Sequence, residues 1–230
     1  MDRRDDPAQY WEAHITRGQL LGRASMAGVG TVGLSLLTGT PTAQAAATLG
    51  SPAQQLSKAM RKLWEQHVWW TRLYIVSFAA GLPDTNSTAQ RLLRNQVDIG
   101  NAIKPCYGNA AGNQLTALLK QHILGAVAIL TAAKAGNAAK VKQATAAWYA
   151  NANQIAAFLH SANPKHWPLG AVRGMMHRHL TLTLQEATAQ LHGNSAGSIA
   201  AFDRVEQEIL QMADTLTAGI VAQFPGRFPG

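Results

Sequence analysis

Apolar positions recur along this chain at steps of three and four residues, and nowhere alternate with period two over a useful length. From about Ser51 to Gly81 the series Met60, Leu63, Trp64, His67, Thr71, Tyr74, Ile75 and Phe78 marks one buried face of an α-helix. Ser51-Pro52 with Gln54 reads as its N-cap, a proline at the first helical position and the far half of a capping box. Gly81-Leu82-Pro83-Asp84 stops that helix and starts the next. A second helix is predicted from about Thr85 to Lys104, ended by Pro105, and a third from about Asn109 to Ala135. The third turns Leu115, Leu118, Leu119, His122, Ala126, Ile129 and Leu130 inward. After the tight turn Gly136-Asn137 a fourth runs to about Ser161, on a stripe that includes Trp148, Ile155, Phe158 and Leu159. Asn163-Pro164 breaks the chain, a fifth helix continues from Trp167-Pro168 to about His192, and a last one covers about Ser195 to Phe224. Short loops between long helices put neighbours antiparallel. The pattern therefore predicts an all-α protein, an up-and-down antiparallel bundle of five or six helices. No repeat of fixed period marks a solenoid.

Composition agrees with a packed domain. Hydrophobic residues make up 47% of the chain, which excludes global disorder. Charged residues are only 14%, yet the net charge is +8. The basic residues are scattered apart from Lys58, Arg61 and Lys62, and no zinc-finger spacing or recognition helix accompanies them. The charge thus points to an anionic cell-envelope component as partner rather than to specific nucleic-acid binding. The lone Cys106 excludes an internal disulfide and a cysteine-based zinc site. It reads as a small half-buried side chain at a helix end.

The first residues read as an address, residues 1–45, ahead of a bundle domain at 46–230. A mildly apolar run from Ala24 to Leu37, laced with Gly28, Gly30 and Gly33, follows Thr16-Arg17-Gly18-Gln19-Leu20-Leu21-Gly22-Arg23. Ala43-Gln44-Ala45 offers small residues for cleavage before Ala46. The run is shorter than the roughly 20 residues of a membrane span, so no transmembrane span is expected in the mature chain. The stretch resembles a bacterial twin-arginine export signal, with Gly18 in place of the second arginine. The resemblance implies an exported protein, or one held by an N-terminal anchor if cleavage does not occur.

Polar groups inside the apolar stripes are the only candidate chemistry. His67 and His122 each take a stripe position that packing would give to Leu or Ile, and His179, Thr183 and Glu186 share a face of the fifth helix. Leaving such a group unpaired costs roughly 1–3 kcal/mol, so these residues should be partners of one another or of a shared ligand. Asp98 on the second helix and Asp214 on the last are the nearest carboxylate candidates. The expected interior site is His67, Asp98, His122, His179, Glu186 and Asp214. Imidazole with carboxylate suits a transition metal ion such as zinc, iron, manganese or copper. Glu65-Gln66-His67 lacks the Glu-x-x-His spacing of two-metal carboxylate bundles, because residues two apart leave a helix on different faces. Structural hydrogen-bond networks satisfy the same groups equally well. Two functions follow: an exported module that binds an envelope component, which the charge and the tryptophans favour, and a metal-dependent protein, an oxidoreductase by class. Convergence of the His67, His122 and His179 rings separates them.

Between residue 60 and about 225 the chain resembles a family of bacterial all-helical proteins of unsettled activity. The resemblance is carried by Trp64 and His67 with Trp70-Thr71-Arg72, by Arg91-Leu92-Leu93-Arg94-Asn95 with Asp98 to Ile103, by Trp148-Tyr149 with Asn151, by Ala162-Asn163-Pro164, by His179-Leu180 with Thr183 and Glu186, and by Met212-Ala213-Asp214 with Gly219-Ile220. Members are sometimes labelled acetylglutamate kinases or glycosyltransferases. Those activities normally use an α/β nucleotide-binding framework, and this chain shows neither its strands nor its phosphate-cradling glycine loops. The resemblance implies domain limits and no chemistry.

Overall fold

A computed structural model describes residues 50–229. The export-signal reading falls on residues outside that range. Five helices account for most of the described residues, and no strand occurs among them: α1 (Pro52–Ala80), α2 (Thr85–Lys134), α3 (Ala138–Ala162), α4 (Leu169–Leu191) and α5 (Ser195–Gln223). The capping box at the start of α1 is formed, with the Gln54 amide N–H donating to Ser51 Oγ and the Ser51 N–H donating to Gln54 Oε1.

The second and third predicted helices are one element, α2, folded back on itself. The chain runs helically through Pro105 and breaks at Gly108, where φ is 83° and ψ 170°. Only glycine adopts that conformation without strain, so the reversal falls three residues later than the proline suggested. The two arms then press together backbone to backbone. A Cβ on Gly112 would lie 2.6 Å from the Gly100 carbonyl oxygen, and one on Gly100 would lie 2.5 Å from that of Gly112. α2 contains a segment long and apolar enough to cross a membrane, but nearly half of it is buried in the bundle.

Counting the arms of α2 separately, six rods form a closed ring. Each packs on its neighbours in the chain, and α5 closes the ring against α1. Hydrogen bonds show the antiparallel sense: Asn95 to the Leu63 carbonyl, Trp148 to that of His122, Tyr149 with Thr181, Arg204 with Gln185, and Trp69 with Glu206. Rods therefore alternate in direction. α1, the second arm of α2 and α4 run one way; the first arm of α2, α3 and α5 run the other. Met60, Ile99, Leu119, Ile155, Leu180 and Ile209 are among the side chains that fill the centre, each no more than 2% exposed.

The ring hides a threefold pattern that no sequence repeat announced. Each of the three rods running the first way carries an inward histidine: His67, His122 and His179. Fourteen residues after each histidine comes a positive-φ glycine that ends the rod: Gly81 (φ 68°), Gly136 (φ 66°) and Gly193 (φ 71°). Twenty-nine residues after each histidine, on the returning rod, stands its hydrogen-bond partner: Gln96, Asn151 and Glu208. The bundle is three helical hairpins around one axis.

Candidate metal centre

Three imidazoles meet on that axis. Ring centroids are 5.6 Å apart for His67 and His179, 6.1 Å for His122 and His179, and 6.4 Å for His67 and His122. All three side chains are 3–4% exposed. Apolar and aromatic side chains enclose them: Trp64 meets His67 edge-on at 5.8 Å, and Trp148 stacks on His122 at 5.0 Å.

Each ring is oriented through Nδ1. His179 Nδ1–H donates to Glu208 Oε2 at 3.1 Å, within a pair that is buried on both sides. His122 Nδ1 lies 3.1 Å from Asn151 Oδ1, and Asn151 Nδ2 is committed to the Leu118 carbonyl, so the amide oxygen accepts and His122 Nδ1 carries a proton. His67 differs. Its Nδ1 lies 3.2 Å from Gln96 Nε2, which also donates to the Leu92 carbonyl at 2.8 Å and approaches Asn95 Oδ1 at 3.2 Å. Three acceptors thus compete for two hydrogens, while Gln96 Oε1, fully buried, has no partner among the described residues. In this arrangement His67 accepts at Nδ1 and carries its proton on Nε2.

Among the described residues, none of the three Nε2 atoms has a protein hydrogen-bond partner. His122 presents a lone pair there, and His67 presents an N–H. Burial disfavours the charged imidazolium, and the neighbouring rings add repulsion. His67 is held well below the ordinary histidine range, and His122 is lowered to about 3. Both rings are therefore neutral at pH 7, the form that ligates a metal.

The donor set fits an ion in chemistry and nearly in spacing. A partner on the far ring nitrogen that fixes orientation is the usual support of a metal-binding histidine. Three imidazoles sharing one ion at the usual metal–nitrogen distance would hold their centroids roughly 5.2–5.5 Å apart. The closest pair nearly meets that value, and the widest must draw in by about an ångström. Among the described residues no group of three His, Cys, Asp or Glu side chains already stands at metal-holding spacing. Loading asks two things: a small contraction of the ring, and transfer of the His67 proton to Nδ1. The orphaned Gln96 Oε1 is the acceptor that such a transfer needs, brought round by a turn of the amide.

Of the other residues expected in the interior, Glu186 is buried beside the trio and Asp98 and Asp214 are not. Glu186, 1% exposed, accepts from Arg72 Nη1 at 2.9 Å, and Arg72 also donates to Ser198 Oγ and lies over the Phe202 ring. Burial raises the Glu186 carboxyl to about 7 against the opposing pull of Arg72. Asp214 pairs with Arg61 at 2.5 Å and is about half exposed. It leaves α5 two residues beyond the inward Met212, hence on another face. Asp98 stands at the rim, 3.9 Å from Arg91, because Gln96 and Ile99 take the inward positions of that turn. The expectation that these two carboxylates serve the interior is corrected. The carboxylate that does is Glu208, and with Gln96 it escaped the sequence reading; Asn151 entered only through the resemblance. The repeated 29-residue offset from each histidine was the available signal. Among the remaining histidines, His177 faces outward to Asn153, and His160 and His192 bond backbone carbonyls near their helix ends.

Comparison of the chain with protein-family models, with curated proteins and with solved structures finds no match.

Proposed function

We propose that this protein binds a first-row transition metal ion on the bundle axis, through Nε2 of His67, His122 and His179, and acts as a metal-dependent protein. The observation that carries the proposal is that three buried imidazoles gather with their ring centroids 5.6–6.4 Å apart and no protein partner on Nε2 among the described residues, while three other rods hold their Nδ1 atoms. Three protein ligands leave a fourth position for water or a small ligand, the arrangement of metal sites that do chemistry rather than only brace a fold. Imidazole ligands suit zinc, copper, iron and nickel; electron transfer at the ion itself would require a redox-active metal such as copper or iron.

Cobalt(II) titration of the metal-free protein tests it. The expected result is one equivalent bound, with the intense visible bands of four-coordinate cobalt, and loss of those bands in His122→Asn. If cobalt, zinc, copper, iron and nickel all leave spectrum and thermal midpoint unchanged, the trio is a structural network closed by water. That alternative has its own logic: the His67 N–H and the His122 lone pair complement a water molecule.

A second reading, an exported module that binds an anionic envelope component, draws on the +8 charge and on exposed Trp69 and Leu73 one turn apart on α1. Salt-sensitive co-sedimentation with anionic vesicles would support it, and sedimentation equal to that with neutral vesicles would refute it. The export address from Arg17 to Ala45 stands with either reading and predicts a mature terminus near Ala46.

A further inference from the structure

The two sides of the histidine layer are not alike. Three residues before each histidine stand Trp64, Leu119 and Met176, all buried and large. Four residues after each stand Thr71, Ala126 and Thr183, all small. The three rods run in the same direction, so these positions form two layers on the axis, a bulky one, with a smaller apolar cavity of about 20 Å³ beside Trp64, and a more open one. A cavity of about 30 Å³ lies on the open side, toward the hairpin turns, walled by all three small residues together with Leu92, Ile123 and Trp148.

Its chemistry follows from what lines it. The walls are almost wholly apolar. The two threonine hydroxyls are spent on their own helices, donating to the His67 carbonyl at 2.7 Å and to the His179 carbonyl at 2.9 Å, so they offer no free donor. The volume exceeds the roughly 10–15 Å³ that one water needs, but water also needs two to four polar partners, and the almost wholly apolar walls offer at most the acceptor lone pairs of the two threonine hydroxyls. Benzene, which occupies engineered cavities of about 150 Å³, is far too large. What remains is a molecule of two or three atoms with little polarity.

We infer that the bundle binds a small apolar gas of dioxygen size in this cavity, one helical turn from the three histidines. The inference deepens the metal reading and rests on it for its functional meaning: the gas would lie beside the open coordination position.

Xenon serves as the probe, because it is apolar, of similar size, and independent of any metal. Under xenon pressure, NMR spectra of the metal-free protein should show saturable shifts of the Ile123 and Leu92 methyl groups and of the His122 and His179 ring protons. Ala187→Leu fills the cavity wall and should abolish these shifts with helical circular dichroism retained; Ala126→Val serves the same purpose should the first variant fail to fold. Absence of saturable shifts at Ile123 and Leu92 overturns the inference. So do methyl shifts that leave both histidine rings unmoved, or shifts that survive in a folded filling variant. The cobalt titration on the same samples reads the metal proposal separately, so failure of one is distinguished from failure of the other.

Discussion

Asn151 and Gln96 occupy equivalent places in two hairpins, yet they do opposite things to their histidines. Asn151 accepts from His122 and leaves Nε2 with a lone pair; Gln96 donates to His67 and leaves Nε2 protonated. Removing a partner that orients a ligand typically costs 10–100-fold in metal affinity, so Asn151→Ala should weaken cobalt or zinc binding by about that factor. Gln96→Glu should act the other way. A carboxylate at 96 would accept from His67 Nδ1–H, as Glu208 does from His179, and free a lone pair on His67 Nε2 without an amide turn. Its metal affinity should rise above wild type by calorimetry, while the metal-free variant loses stability, because the added charge is buried. A Gln96→Glu protein with unchanged affinity would show that the His67 tautomer does not limit loading.

Among the elements, the reversal inside α2 carries the highest local demand. It stands where the other connections use loops of three to six residues, and it works because Gly100 and Gly112 let two backbones touch. Gly112→Ala would drive a methyl against the Gly100 carbonyl, part the two arms, and shift Gln96 relative to His67. A loss of about 2–3 kcal/mol in urea unfolding is the expected outcome, with metal affinity falling too. A matching Gly174→Ala, on a surface where a Cβ meets nothing within 4 Å, should not destabilise. Equal effects at the two positions would remove the close approach as the cause. The same contact accounts for the position of the break: helix propensity alone would stop the chain at Pro105, whereas packing of the arms carries it on to Gly108.

For the molecule as a whole, the interior titrations set the pH response. His67 and His122 are depressed in the fold, so the unfolded chain binds more protons than the folded one below about 6.5. Their contribution is complete above that pH and is lost as pH falls toward 3. Glu186, raised from 4.5 to about 7, opposes them: its stabilising contribution is complete below 4.5 and is lost as pH rises through 7. Two groups outweigh one between 4.5 and 6.5, each tilting stability by up to about 1.4 kcal/mol per pH unit. The urea midpoint should therefore fall on acidification from pH 6.5 to 4.5, and His122→Asn should flatten that slope. A midpoint that holds or rises over this range would mean the histidines are not neutral in the folded protein.

The all-α bundle, its loops and most helix limits were legible from residues alone, because a 3.6-residue stripe and a cap are local signals set by backbone geometry. The three histidines were legible as anomalies for the same reason: each breaks an apolar stripe that can be read within its own helix. What they face was not legible. Gln96, Asn151 and Glu208 lie on the returning rods, and their roles depend on the register of each hairpin, which the paired glycines and the length of each rod decide together. Asp98 and Asp214 illustrate the limit from the other side. A helical wheel places them near an apolar face, but Gln96, Ile99 and Met212 take the inward positions once the rods pack, and the two aspartates face Arg91 and Arg61 at the rim. The ring of three hairpins, and with it a shared axis where three imidazoles and an apolar cavity meet, exists only after contacts between residues far apart in the chain have formed. No local pattern contains it.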